Sequence, residues 1–80
     1  MEEALTRIFK DNPNEVLEIE DLYNKFLSGN YYKLTDYQKE DDPKYPSPRY
    51  KHMIRSIIAR LKKKGIITRI SRNKYKFKIK

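Results

Sequence analysis

The sequence predicts an α+β domain of three helices and a C-terminal two-stranded hairpin, with residues 15–17 as a candidate short third strand. Three observations predict it. Apolar residues recur at helical spacing in three separate stretches, the last 20 residues contain a run that alternates with period two, and Gly, Pro and Asn fall between these patterns. With 80 residues the chain is expected to form one domain, 1–80, with a small core.

Residues 2–11 read as the first helix. Ala4, Leu5, Ile8 and Phe9 share a face, and Glu2 and Glu3 suit the positive end of the helix dipole. Asn12-Pro13-Asn14 stops it, and Glu15-Val16-Leu17 reads as a short extended piece. The second helix is expected over 18–28. Ile19, Leu22, Tyr23, Phe26 and Leu27 form its apolar face, Glu18 and Asp21 a variant capping box, and Ser28-Gly29-Asn30 its stop.

Residues 29–46 read as a long loop rich in Tyr and acid, with the tyrosines as core and loop packing. Thr35 and Gln38 have the spacing of a capping box, which marks one candidate helical turn inside it. Ser47-Pro48 then reads as a hydroxyl cap followed by proline at the first helical position. Tyr50, Met53, Ile54, Ile57, Ile58 and Leu61 continue as a core-facing stripe, which predicts a third helix over 48–64 ended by Gly65. Strands are expected at 66–71 and 74–79. In the second, Tyr75, Phe77 and Ile79 alternate with Lys74, Lys76, Lys78 and Lys80, and Arg72-Asn73 is the expected tip.

Charge divides the chain more sharply than hydropathy does. All 11 acidic residues lie at or before Asp42, with 5 of the 19 basic ones, so residues 1–42 carry −6 and residues 43–80 carry +14. A folded segment without counter-charge attracts a polyanion, which points to nucleic acid. The absence of Cys excludes disulfides and thiolate metal sites. The longest wholly apolar run, Ile57-Ile58-Ala59, is far too short for a membrane span, so no membrane partner and an intracellular location (cytoplasm, nucleoid or nucleus) are expected. His52 is the single histidine and has no Cys, Asp or Glu near it in sequence, so no metal, cofactor or catalytic residue is expected. An enzyme is the least expected class, because so short a chain has little room for a tyrosine nucleophile and its pocket.

The order helix, short strand, helix, loop, helix, hairpin resembles the winged helix-turn-helix family. The residues that carry the resemblance are Ile54–Leu61, Gly65-Ile66-Ile67-Thr68-Arg69 and Tyr75-Lys76-Phe77. The family usually joins its second and third helices by a few residues, whereas about 16–18 intervene here. The resemblance implies a double-stranded DNA-binding protein, a small transcriptional regulator, with homodimerisation on paired half-sites as a candidate arrangement. The helix would enter the major groove and the hairpin, or wing, would grip backbone.

With the apolar stripe turned inward, the opposite face of the third helix holds His52, Arg55, Ser56, Ala59 and Lys63, flanked by Arg49, Arg60 and Lys62. Small residues between long cations let a helix approach base edges. Arg49, His52, Arg55 and Ser56 are the expected base readers, since the N-terminal half of such a helix meets the bases. Lys51, Arg60, Lys62, Lys63, Arg69, Arg72, Asn73, Lys74 and Lys76 are the expected backbone contacts. Two other readings keep the fold and change the partner: an RNA-associated domain of ribosomal type, and a protein-interaction module facing an acidic surface.

Overall fold

The computed structural model describes residues 1–44 and 47–78. It is an α+β domain of four helices and a three-stranded antiparallel sheet: α1 (Glu2–Asp11), β1 (Val16–Glu18), α2 (Ile19–Ser28), α3 (Asp36–Lys39), α4 (Arg49–Lys63), β2 (Ile67–Ser71) and β3 (Lys74–Phe77). The candidate strand near 15–17 exists, and the sheet order is β1-β3-β2. The last strand in sequence is therefore the central one. Ile79, the expected end of that strand, lies outside the described residues, as do Lys80, Tyr45 and Pro46.

Local chemistry sets most boundaries. The Asn12 side chain donates to the Ile8 carbonyl at 2.8 Å and closes α1. Asp21 Oδ2 accepts the Glu18 N–H at 3.2 Å at the start of α2, and Gly29 ends α2 at φ 77°. The candidate turn in the long loop is α3. Thr35 Oγ1 accepts the Gln38 N–H at 3.2 Å while Gln38 Oε1 accepts the Thr35 N–H at 3.0 Å, a complete capping box. The helix expected as third is thus the fourth. At its C-terminus the Gly65 N–H bonds to the Lys62 carbonyl and the Ile66 N–H to the Leu61 carbonyl, with Gly65 at φ 78°. That pair of bonds is a Schellman motif, which requires the positive φ.

The helix start differs from the expected one. Pro48 is the N-cap and Arg49 the first helical residue, and the Ser47 hydroxyl does not cap. It bonds instead to His52 Nε2 at 2.8 Å. Backbone bonds from Asp42 N–H to the Ser47 carbonyl and from Arg49 N–H to the Glu40 carbonyl set residues 40–42 against residues 47–49, with an isolated bridge between Asp41 and Pro48.

Both charge halves build the core. Leu5, Ile8 and Phe9 of α1, Leu17, and Ile19, Leu22, Tyr23 and Phe26 of α2 meet Tyr50, Ile54, Ile57, Ile58 and Leu61 of α4 and Ile67 of β2. Two residues expected in apolar faces are exposed, Leu27 at 51% and Met53 at 38%. Each sits at the edge of its helical stripe, where a neighbouring element must reach over to cover it.

Candidate nucleic-acid interface

The sheet register decides which side of the molecule each hairpin cation occupies. Tyr75 and Phe77 pack against the core, on the helix-bearing side of the sheet. Their neighbours Lys74 and Lys76 therefore lie on the opposite side. Lys76 sits between Val16 and Thr68 in the register and Lys74 between Glu18 and Ser71, and Lys74 Nζ is 3.8 Å from Glu18 Oε1. Arg69 pairs with Tyr75 and so shares the helix-bearing side, and it is exposed.

The hairpin is also shorter in reach than a free wing. Ser71 pairs with Lys74, leaving Arg72 and Asn73 as the turn, and Asn73 takes φ 62° as expected for the tip. The Asn73 carbonyl accepts the Ile19 N–H at 2.9 Å, which ties the tip to the start of α2. A β-bulge between Arg69 and Ser71 leaves Ile70 unpaired and 51% exposed.

On α4 the expected site residues separate into three groups. Arg49 is held. Its guanidinium lies 3.3 Å from Glu40 Oε2, donates to the Tyr37 carbonyl at 3.3 Å and stacks 4.1 Å from the Tyr37 ring centroid. Its side chain is 19% exposed, so this expected base reader engages the junction of α3 and α4. Arg60 forms the second group, at the α1 edge, where Glu2 contacts it at 3.6 Å and contacts Lys64 at 3.1 Å. The hydrogen bond from Lys64 is the main cause that keeps the Glu2 carboxyl below its usual range; desolvation opposes it and the charges of Lys64 and Arg60 add to it.

The third group forms the outward face. Arg55, Ser56, Ala59, Lys62 and Lys63 are exposed, with His52 half-buried at the N-terminal end. On the α2 side Lys51 Nζ lies 5.1 Å from the Tyr23 ring centroid, and Tyr23 meets Tyr50 edge-on at 6.1 Å. Burial pushes the Tyr23 hydroxyl above its usual pKa, and the neighbouring Arg55 guanidinium partly offsets this. Arg55 thus lies near the Tyr23–Tyr50 pair and is open to solvent. No acidic residue exists on α4, and the carboxylates that reach it among the described residues do so at Arg49, Arg60 and the following Lys64.

Sequence reasoning missed the surface position of Met53. It lines a shallow groove of about 240 Å³ with His52, Ser56, Ile57 and Arg60. Helical geometry alone would have shown it at the margin of the stripe, next to Ser56 and Arg60.

A wider cleft of about 610 Å³ lies on the α1 side, between its first turns and Tyr31 and Tyr32, with acids and bases mixed along its walls. Among the described residues no group of three or more His, Cys, Asp or Glu side chains could hold a metal ion, and no helix is long and apolar enough to cross a membrane. No protein-family model matches the chain, and no curated protein or solved structure matches it.

Proposed function

We propose that this chain is a winged-helix domain that binds double-stranded DNA, with α4 in the major groove, and that it serves as a small transcriptional regulator. The single observation that carries the reading is the outward face of α4: Arg55, Lys62 and Lys63 exposed around Ser56 and Ala59, with no carboxylate on the helix. A helix needs that combination, because long cations bond phosphates and guanine edges while small residues permit close approach. The element order and the strand order β1-β3-β2, with α4 packed against one side of the sheet, support the winged-helix assignment.

Base reading then falls to Arg55, Ser56 and His52. Lys51, Lys62, Lys63, Arg69 and Arg72 supply phosphate contacts. Lys74 and Lys76, on the far side of the sheet, do not take part. Titration of a random duplex with salt tests this. With about six phosphates neutralised, log K falls against log salt with a slope near −5. A flat response rejects the reading, and tighter binding to structured RNA than to duplex DNA in competition reassigns the partner.

A further inference from the structure

Met53 is the one large apolar side chain of α4 that is not buried, at 38% exposure. A lone exposed apolar residue is ordinary on a protein surface. This one differs in its surroundings. His52, Ser56 and Arg60 follow one another at four-residue spacing and form one ridge, and Met53 and Ile57 start the next. Ser56 is small, so the ridge dips at its centre, and Ile57, only 3% exposed, floors the depression. The result is a shallow groove with an apolar wall and floor. It is rimmed by the His52 imidazole and by the Arg60 guanidinium, which also lies 3.6 Å from Glu2 Oε1, and its His52 end lies in the half of α4 that the DNA-binding reading directs at base edges.

The occupant must suit both parts of that groove. The Arg60 guanidinium, exposed beside Glu2, and the hydrogen-bonding imidazole suit a polar, anionic polymer, and the wall and floor favour a small apolar group carried on it. In the major groove one base displays such a group: thymine, with its 5-methyl. We propose that Met53 is a specificity-determining residue, and that its groove receives the 5-methyl group of a thymine. The unbranched thioether can adapt to the methyl without a fixed rotamer. This inference rests on the DNA-binding reading and adds one base preference to it.

The test uses duplexes selected by the protein from a random pool. Each thymine in turn is replaced by deoxyuridine, which removes the methyl and leaves every hydrogen-bonding group. For the wild-type chain, one position weakens binding about fourfold, the value of one buried methyl-sized group. Met53→Ala binds the thymine duplex about fourfold more weakly and no longer responds to deoxyuridine at that position, while Met53→Leu keeps the response. Circular dichroism melting of both variants verifies that the fold is intact.

Selection without a consensus, a wild-type protein blind to every methyl, or a Met53→Ala variant as methyl-sensitive as wild type would each overturn the inference and leave salt-dependent DNA binding standing. Loss of self-association in Met53→Ala with DNA affinity unchanged would also overturn it, because the groove would then belong to a protein contact. Failure to bind any duplex would remove the DNA-binding reading and this inference together.

Discussion

Residues 1–42 and the described residues that follow Asp42 meet in one core but use charge in opposite ways. The first segment holds every carboxylate, and those that form ion pairs sit at seams: Glu2 against Arg60 and Lys64, Glu18 against Lys74, Glu40 against Arg49. Each of these pairs joins one segment to the other. The second segment spends its edge cations on those seams and leaves the middle of α4 without a carboxylate. Charge segregation along the chain therefore does two things in the fold. It aligns the two segments at their borders, and it keeps a positive face between the borders.

The contrast has an energetic side, which core substitutions expose with the largest effect. The joint between segments is apolar: Ile54 is fully buried in a cluster with residues from α1 and α2. Ile54→Ala should cost about 2–5 kcal/mol by urea melting, since it leaves a cavity where two segments meet. Breaking a seam instead, with Glu40→Gln, should cost roughly 0–1 kcal/mol, because that pair is solvent-accessible. Equal losses would mean that the ion pairs hold the segments together, and the comparison would fail.

A smaller effect separates the two sides of the basic segment. Replacing Arg55 and Lys63 by Gln removes two cations from the outward face of α4. It should make the salt slope shallower by about 2. Replacing Lys74 and Lys76 by Gln removes the same charge from the far side of the sheet and should leave the slope unchanged. If both pairs shift it alike, DNA contacts the outer face of the sheet as well and the division of the hairpin cations is functionally empty.

Much of this was legible in the sequence because it is set locally. The bounds of α1, the Thr35–Gln38 box of α3, the Gly65 stop and the Asn73 tip each depend on residues within one or two turns. What could not be read depends on distant partners. Ser47 has the chemistry of a cap, but the imidazole of His52 takes its hydroxyl. Arg49 lies on the predicted helix, but Glu40 and Tyr37 of the preceding loop region occupy its guanidinium. Alternation placed Tyr75 and Phe77 toward the core and Lys74 and Lys76 on the wet side, but the third strand, which makes β3 central and sets Lys74 beside Glu18, depends on pairing with distant residues 16–18. Leu27 and Met53 fit the periodicity and are exposed because, among the described residues, no element covers the margins of their helices.

Glu2 offers the finest test of the seams, through pH. Its folded pKa lies below the usual carboxylate value, chiefly through the hydrogen bond from Lys64. A depressed carboxyl contributes stability that is present above its unfolded pKa and lost as pH falls through the folded one. The Tm gap between wild type and Glu2→Gln should therefore be present at neutral pH and shrink in acid, as the wild-type carboxyl itself becomes neutral. The gap should be small and should narrow with added salt, because the pair is near solvent. The same substitution releases Arg60 and Lys64 from their shared carboxylate. If that edge borders the proposed DNA-binding face, Glu2→Gln should bind random duplex more tightly at neutral pH while being slightly less stable. Opposite signs for stability and affinity are what a seam beside a binding face requires. A loss of both would mean that Glu2 maintains the face rather than limiting it.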